Sequence, residues 1–215
     1  MITALIPFKP LSEAKSRLAT ILPPADRRAL ALAMLDDVLT ALERSQRISQ
    51  IIVTASDAAA QALVQSRNIE FLQDTSNGLN PAIQHVVNQL DSDRPLLIMH
   101  ADLPLVEEDD IDEFITMMPS GGVALAGSND GGTTAAICAV PQRMRWSFGE
   151  QSLLRHLAAA RAANIPVRSV REGPITFDID RPVDLYRLLL DPGGRQTGRL
   201  LGKLHIGAKS EPSHE

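Results

Sequence analysis

Short apolar runs alternate with longer helical patterns along this chain, and no other feature limits its fold as strongly. Predicted strands, rich in apolar and β-branched residues, lie at residues 2–8, 50–55, 69–72, 95–100 and 123–126. Helical patterns lie at residues 24–44, 57–67, 81–90, 107–118, 151–163 and 182–190. The clearest of them repeats Leu32, Leu35, Leu39 and Leu42 at spacings of three and four residues.

Several predicted strands are apolar on both faces, as in Leu96-Leu97-Ile98-Met99. Such strands are typical of a mainly parallel sheet with helices on both faces. We therefore predict an α/β fold, and the length of 215 residues fits one domain. The domain is expected to span residues 1–190, and the polar, Pro-Gly-Gly-containing residues 191–215 are expected to form a partly flexible extension.

The composition excludes some classes of partner. A net charge of −5 with one Tyr and one Trp argues against a nucleic-acid reader, which needs a cationic stripe and stacking platforms. The lone Cys138 cannot form an internal disulfide, which favours a cytoplasmic protein. No apolar stretch reaches membrane-spanning length, and residues 2–8 are too short for a signal peptide, so no membrane partner is expected.

Three aspartates, at separate places in the chain, follow apolar runs that are interpreted as strands. Asp102 follows the run ending at Met99, and Asp178 and Asp180 follow Ile175. In an extended backbone, residues two apart share a face, so Asp178 and Asp180 are expected to point the same way. Three converging carboxylates suit Mg²⁺, which binds oxygen ligands together with substrate phosphates. This pattern indicates nucleotidyl transfer.

Each aspartate also has a purely structural interpretation. Asp102 precedes Leu103-Pro104 and fits a turn, and Asp180 fits a cap of the helix beginning near Pro182. Neither His85 nor His100 has a second histidine or cysteine at ligand spacing, so both are interpreted as packing or surface residues.

The loop after the first predicted strand carries three cations, Lys9, Lys15 and Arg17. Cations beside the start of a short helix can neutralise the charge on a triphosphate, although a solvated cationic surface is an equally good interpretation. No Walker glycine loop and no Gly-x-Gly-x-x-Gly motif follows this strand, which argues against a P-loop enzyme or a dinucleotide-binding domain.

Three further loops could contact substrates. Gly78 lets a ligand approach the backbone, while Asn80 before Pro81 fits a helix N-cap. Residues 130–134, Asp-Gly-Gly-Thr-Thr, could bind an acid or form an ordinary hairpin turn. Residues 147–152 lead into a helix at Gln151, where backbone donors could hold a second anion, although Ser152 also fits a simple early-helix residue.

Taken together, the order and spacing of these motifs resemble the CofC/FbiD family, the guanylyltransferases of coenzyme F420 biosynthesis that act on 2-phospholactate or phosphoenolpyruvate. The resemblance runs from the first strand to about Leu190. The motifs that carry it are residues 9–18 (KPLSEAKSRL), 78–80 (GLN), 102–105 (DLPL), 131–134 (GGTT), 148–156 (FGEQSLLRH) and 178–185 (DIDRPVDL).

The resemblance implies a nucleotide-diphospho-sugar transferase-like (Rossmann-like) fold and transfer of GMP from GTP to a small phosphorylated three-carbon acid, with release of pyrophosphate. A homodimer is compatible with the family. Because the phospho-acid diphosphate product would be unstable, direct hand-off of the product to the next F420-pathway enzyme is a further hypothesis. The implied roles are Mg²⁺ ligation by Asp102, Asp178 and Asp180; catalysis by Asp102 and Lys15; nucleotide binding by Lys9, Lys15, Arg17, Gly78, Leu79 and Asn80; and acid binding by Thr133, Thr134, Gly149 and Ser152.

Two questions stay open at this level. Some family members read Gly-Thr-Asn where this chain has Gly132-Thr133-Thr134, so phosphoenolpyruvate, 2-phospho-L-lactate and 3-phosphoglycerate all remain candidate acids. The alternatives to guanylyl transfer are a cytidylyl- or molybdopterin-type nucleotidyltransferase with another acceptor, and a non-catalytic nucleotide-binding domain.

Overall fold

The computed structural model describes residues 2–76, 78–91, 94–190 and 195–204. These residues form a seven-stranded sheet in the order β3-β2-β1-β4-β6-β5-β7. The strands are β1 (Ile2–Pro7), β2 (Ile48–Ala55), β3 (Glu70–Gln73), β4 (Leu96–Met99), β5 (Val123–Gly127), β6 (Thr133–Cys138) and β7 (Val167–Val170). The helices are α1 (Pro24–Arg44), α2 (Ala58–Ser66), α3 (Leu79–Gln89), α4 (Glu108–Thr116), α5 (Ser152–Ala162), α6 (Pro182–Leu190) and α7 (Gln196–Leu204).

The predicted α/β class and the mainly parallel sheet are confirmed. β6 pairs antiparallel with β4 and β5, and the other four strand pairings are parallel. Side chains of the central strands alternate between two buried clusters on opposite faces of the sheet: Ala4 and Ile6 point into one cluster and Leu5 into the other. Helices α1, α2 and α4 cover the first face, and α3 and α5 cover the second.

Three elements, β6, β7 and α7, are absent from the predicted strands and helices, although a hairpin turn at residues 130–134 implies a strand at β6. β7 lies at the sheet edge, and its two apolar residues, Val167 and Val170, face opposite sides of the sheet. A search for alternating apolar residues therefore does not find it. α7 buries Leu201 against α1 and α6. Asp37 of α1 anchors α7 by accepting hydrogen bonds from the backbone N–H groups of Gln196 (2.7 Å) and Thr197 (2.9 Å).

The expected extension after residue 190 is thus helical over residues 196–204 and packed against the domain. Residues 191–194 and 205–215 lie outside the described residues, so the flexibility expected there stays a prediction, as does the division at residue 190. None of the helices formed by the described part of the chain is long and apolar enough to span a membrane.

Candidate active site

The central strands β1 and β4 end side by side at one edge of the sheet. From β1 the chain continues outward to β2 and β3, whereas β4 leads to the strands on the other side, so this is the point where the strand order reverses. Open α/β sheets bind ligands beyond the carboxyl ends of their strands at such a point. Because β6 runs antiparallel, its first residues reach the same edge, where the His100 backbone N–H donates to Thr134 O at 2.8 Å.

A cavity of about 290 Å³ opens beside the ends of β1 and β4. The loop after β1 forms one wall, and the residues after β4 form another. Its ionisable side chains are three cations, three carboxylates and a histidine: Lys9, Lys15, Arg17, Glu13, Asp102, Asp180 and His100. The predicted nucleotide-side residue Leu79 also lines it. The structure thus brings together residues that are far apart in the sequence.

Lys15 is the centre of the charged cluster. Its Nζ lies 2.6 Å from Asp102 Oδ2 and 3.7 Å from Asp180 Oδ1, and only 8% of its side chain is exposed. The backbone of Lys15 is left-handed, with φ 51°, a conformation that is uncommon for a residue with a side chain. The chain therefore turns sharply here and directs the ammonium group at the two carboxylates.

Arg17 joins the same cluster from its exposed side. One guanidinium nitrogen lies 2.6 Å from Asp180 Oδ2 and 3.7 Å from Asp130 Oδ2. Asp130 was not singled out from the sequence. Its pKa is lowered, first by the hydrogen bond from the Ser128 hydroxyl, which outweighs partial burial, with smaller contributions from the Gly132 N–H and from Arg17.

Asp178 differs from the other two aspartates. Burial raises its pKa to about 7, with a further contribution from the negative charge of Asp102. Burial alone would also raise the pKa of Asp102, but the charge and hydrogen bond of Lys15 and the nearby His100 outweigh it, so the pKa of Asp102 is lowered. Asp178 is thus a carboxyl group that lacks a comparably strong cation.

The expectation that Asp178 and Asp180 follow a strand is wrong. Residues Pro174–Thr176 form a 3-10 turn, and no strand leads into the two aspartates. The loop is fixed by the Ile179 N–H, which donates to Asp102 O at 3.1 Å. The backbone carbonyl of Asp102 therefore positions the segment that carries Asp178 and Asp180.

The alternative role of Asp180 as a helix cap is also wrong. Asp184, in the first turn of α6, accepts hydrogen bonds from the backbone N–H groups of Asp180 (3.2 Å) and Arg181 (2.8 Å). This reaching-back contact satisfies the start of α6. The Asp180 carboxylate is therefore left for Lys15 and Arg17.

The fit of the charged cluster to a divalent cation depends on its carboxylate oxygens. Among the described residues, no group of three or more His, Cys, Asp or Glu side chains is arranged to hold a metal ion. However, Asp102 Oδ1 is buried and accepts no hydrogen bond from any described residue, and Asp178 is a half-buried carboxyl group whose pKa the charge of Asp102 helps to raise. A hard oxygen donor without a hydrogen-bond partner, as at Asp102 Oδ1, suits Mg²⁺. The metal-ligand roles of the three aspartates stay a prediction.

His100 lines the cavity, in contrast to the packing or surface role expected from the sequence. Its Nε2 is buried and makes no hydrogen bond with a described residue. Burial lowers the pKa of His100 despite the opposing effect of Asp102, so its ring is neutral near pH 7. Its ring packs 5.5 Å from that of Phe148.

Asn80, expected as a helix N-cap or nucleotide contact, holds another loop. α3 begins at Leu79 with Gly78 (φ 117°) as its N-cap residue, so the N-cap interpretation of Asn80 is wrong. The Asn80 side chain accepts from the Phe148 N–H (2.7 Å) and donates to Phe148 O (3.0 Å). Its amide is therefore occupied within the protein.

The predicted acid-side residues lie at the same sheet edge but are mostly buried. Thr133, Thr134 and Ser152 are at most 2% exposed, and none of the four predicted residues is among those that line the cavity. Thr134 Oγ1 donates to Ile175 O at 2.6 Å, which ties β6 to the turn before Asp178. Gly149, with φ 122°, occupies a turn that favours glycine.

The start of α5 offers fewer backbone donors than expected. The N–H of Ser152 donates to Gly149 O at 3.1 Å, and that of Leu153 donates to Gly131 O at 3.2 Å. Gly131 permits this approach because a Cβ there would lie 2.8 Å from the Gln151 side chain. The first turn of α5 thus satisfies part of its donor capacity from neighbouring loops.

His156 is the buried polar residue that the sequence analysis overlooked. It is fully buried, and Ser147 N–H donates to its Nε2 at 2.9 Å while its Nδ1 lies 3.0 Å from Thr133 Oγ1. Burial, reinforced by Arg155 and His100, lowers the pKa of His156 to about 4. Its position in α5, in register with the buried Leu153 and Ala160, was the available signal.

The family model and the related sequences that match this chain all describe guanylyl transferases. The family described as guanylyl transferase CofC like matches residues 2–215. A phosphoenolpyruvate guanylyltransferase of Sphaerobacter thermophilus is 37% identical, covering 98% of this chain and 97% of its own. A 2-phospho-L-lactate guanylyltransferase of Methanocaldococcus fervens is 27% identical, covering 98% and 94%.

Solved structures support the same fold. A protein described as a nucleotide-diphospho-sugar transferase from Desulfovibrio desulfuricans G20 superposes with a TM-score of 0.73 at 17% identity, covering 94% of this chain and 95% of its own. CMP:2-keto-3-deoxy-manno-octonic acid synthetase superposes with a TM-score of 0.59 at 12% identity, covering 87% and 97%. These identities establish the fold alone, whereas the match over residues 2–215 shows that this chain belongs to the CofC-like guanylyl transferase family.

Proposed function

We propose that this protein transfers GMP from GTP to a small phosphorylated three-carbon acid in coenzyme F420 biosynthesis. A phosphate oxygen of the acid attacks the α-phosphorus of GTP, the bond to the β-phosphate breaks, and pyrophosphate leaves. The family match over residues 2–215 carries this proposal. The cavity beside β1 and β4 supports it because its cations suit a triphosphate.

Lys15 and Arg17 are proposed to act on the phosphates of GTP. In the protein alone they pair with Asp102 and Asp180, at 2.6 Å in each case. Phosphate oxygens can replace these carboxylate partners, since both groups are good acceptors for charged donors. These cations then neutralise the negative charge that develops on the leaving pyrophosphate, which lowers the barrier to GMP transfer. No protein nucleophile is required.

Asp102, Asp178 and Asp180 are proposed to hold Mg²⁺. The unpartnered Asp102 Oδ1 and the raised pKa of Asp178 support this role, because a divalent cation would compensate both. When bound, the cation would offset repulsion between the two anionic substrates and stabilise charge on the phosphates. The positions of the three aspartates are set by β4 and by the loop fastened through Ile179.

The acid is proposed to bind on the side formed by Thr133, Thr134, Gly149 and Ser152. Its identity stays open between phosphoenolpyruvate, 2-phospho-L-lactate and 3-phosphoglycerate. Related proteins carry the names of two of these acids. The candidates differ by small groups, which a few hydrogen bonds can distinguish.

A nucleotide and acid panel tests the proposal. GTP and CTP are each incubated with the three acids and Mg²⁺, and pyrophosphate and the coupled product are measured by mass spectrometry. We expect product with GTP and at least one acid. Turnover with CTP alone would instead support a cytidylyltransferase, and binding of GTP without turnover under any condition would support a non-catalytic domain.

The metal requirement needs a separate experiment. The protein is treated with EDTA, and Mg²⁺ or Mn²⁺ is added back while activity and Mn²⁺ binding by electron paramagnetic resonance are followed. Restored activity together with Mn²⁺ binding that is weakened in Asp178→Asn is expected. Full activity in the presence of EDTA would contradict the metal role.

Three wider expectations accompany this function. We propose a cytoplasmic location, a homodimer, and transfer of the product directly to the next enzyme of the pathway, without nucleic-acid or membrane partners. Light scattering tests the dimer, and co-purification at high protein concentration tests the transfer.

A further inference from the structure

One buried imidazole joins the three elements that carry the predicted acid-side residues. His156 of α5 contacts Thr133 of β6 through Nδ1 (3.0 Å) and the loop before Gly149 through the Ser147 N–H (2.9 Å). Ser152 Oγ, also on α5, donates to Thr133 Oγ1 at 3.1 Å. Thr133, Ser152 and His156 are all at most 2% exposed.

The hydrogen-bond pattern fixes the tautomer of His156. A backbone N–H can only donate, so His156 Nε2 must be the acceptor and carries no proton. In a neutral imidazole the proton is then on Nδ1, which donates to Thr133 Oγ1. The lowered pKa of His156 agrees with this neutral form.

The consequence falls on the hydroxyl of Thr133. It accepts hydrogen bonds from both His156 and Ser152, so its two lone pairs are used. Its own hydrogen must therefore point away from both of these groups. A hydroxyl held in this way is a donor, which is the capacity that a carboxylate or phosphate ligand requires.

We infer that His156 is a positioning residue for the phospho-acid, because it orients the Thr133 hydroxyl as a donor to that substrate. This inference rests on the proposed function, since it assumes that Thr133 lies on the acid side. It assigns His156 no contact with the reacting atoms. Its effect is expected on binding of the acid and not on binding of GTP.

The packing of His156 does not by itself explain an imidazole at this position. Its ring packs edge-on against Phe148 at 4.7 Å and against Trp146 at 5.6 Å, contacts that an apolar ring could also make. Burying a polar ring costs free energy unless both nitrogens find partners. The two partners found here are the acid-side loop and Thr133.

Two substitutions of His156 distinguish the hydrogen bond made by Nε2 from that made by Nδ1. The amide of His156→Gln reaches the position of Nε2 and can accept from Ser147, but it loses the donor to Thr133. The shorter amide of His156→Asn reaches the position of Nδ1 and keeps that donor, but it loses Ser147. The Ser147–Gly149 loop has other anchors, from Asn80 to Phe148 and from Arg155 to Ser147, so loss of the Ser147 contact is the milder change.

The experiment measures KM for acid and for GTP in both variants, with thermal unfolding as a check of folding. We expect His156→Gln to raise the acid KM about tenfold, the effect of one lost hydrogen bond, and to leave the GTP KM within about twofold of wild type. His156→Asn should raise the acid KM less. His85→Asn, at an exposed position of α3, is the matched control and should leave both constants unchanged.

A double-mutant cycle and a spectrum complete the test. Thr133→Val removes the hydroxyl, so His156→Gln should add no further increase in acid KM in that background. Nitrogen-15 NMR of the wild type should show the neutral tautomer with its proton on Nδ1. Additive effects in the cycle, equal changes in the two KM values, or the opposite tautomer would overturn the role of His156.

Failure of the inference can be told apart from failure of the proposed function. If wild-type protein makes product from GTP and an acid but the acid KM of His156→Gln equals that of wild type, only the role of His156 is wrong. If wild-type protein makes no product with any acid, the proposed function fails, and the inference fails with it.

Discussion

The two sides of the candidate site are built from opposite kinds of contact. The side next to β1 is a charged cluster, in which Lys15 and Arg17 pair with carboxylates and Arg17 is 47% exposed. The side next to β6 is a neutral cluster, in which Thr133, Ser152 and His156 are buried and bonded to one another. The cations of the charged cluster can exchange their carboxylate partners for a ligand, whereas the side chains of the neutral cluster are held in place by one another.

This difference indicates how each side can contribute to binding. The Arg17–Asp180 pair is partly exposed, and such ion pairs contribute little to stability and are readily exchanged for a ligand of the same charge. The Lys15–Asp102 pair is more buried, so its exchange requires a ligand that supplies an equally good acceptor. Buried neutral hydrogen bonds hold their geometry, so a ligand meets groups that need little reorganisation. We therefore expect substitutions in the charged cluster to affect nucleotide and metal first, and those in the neutral cluster to affect acid and stability.

The largest effect is expected for Asp102→Asn. The change removes a charge from the proposed metal site while preserving shape, so kcat/KM should fall by about a thousandfold or more with the fold intact. Steady-state kinetics and thermal unfolding measure the two properties. Asp109→Asn, at an exposed position in the first turn of α4, is the control and should retain activity. Unchanged turnover in Asp102→Asn would remove Asp102 from the chemistry.

The next effect concerns the stability of the neutral cluster in acid. The pKa of His156 is lowered from 6.5 to about 4, so the unfolded chain binds its proton first and the wild type should lose stability as the pH falls between these values. The loss is at most on the order of 3 kcal/mol. His156→Asn cannot titrate and should flatten the slope, which denaturant titrations at pH 7, 6 and 5 measure.

His85→Asn serves as the control for this pH dependence. It removes a histidine from an exposed position of α3 and should retain the wild-type slope. A wild-type slope in His156→Asn as well would mean that His156 is not buried in its neutral form.

The charged cluster was partly predictable from the sequence, and the neutral cluster was not. Charged residues in loops after buried strands meet at one edge of a parallel sheet, so Lys15 after β1 and Asp102 after β4 could be expected together. Asp180 follows a 3-10 turn and not a strand, so this rule does not place it in the cluster. The partners of Thr134 and Asn80 could not be predicted. Thr134 bonds to Ile175 and Asn80 to Phe148, at sequence separations of 41 and 68 residues, and no local pattern reports such contacts.

The fold shows the same division between local and long-range information. Strands that are apolar on both faces predicted the parallel sheet, because a strand covered by helices on both faces needs apolar residues at nearly every position. α7 was missed because its position depends on a distant carboxylate, Asp37, and on apolar partners from two other helices. The segment before Asp178 resembles a strand in sequence because the apolar Ile175 and Phe177 alternate with Thr176, although the structure forms a 3-10 turn there.

A smaller effect is expected for Lys15→Ala in the charged cluster. Loss of the ammonium group should raise the KM for GTP about tenfold, because a cation facing the triphosphate is removed, while the acid KM changes by about twofold or less. Arg28→Ala, at an exposed position of α1, is the control. A larger change in the acid KM than in the GTP KM would separate the loop after β1 from the triphosphate.

The smallest effect, and the sharpest test of where the two sides divide, is expected for Asn80→Asp. The new carboxylate can still accept from the Phe148 N–H but cannot donate to Phe148 O, so the free energy of unfolding should fall by about 1 kcal/mol. Asn88→Asp, at an exposed position of the same helix, is the control. Because the Asn80 amide is bonded to the loop that leads to Gly149, we expect the acid KM to rise more than the GTP KM. A larger rise in the GTP KM than in the acid KM would support the nucleotide-binding role that the family resemblance gives Asn80. Asn80 would then belong functionally with the charged cluster and not with the neutral one.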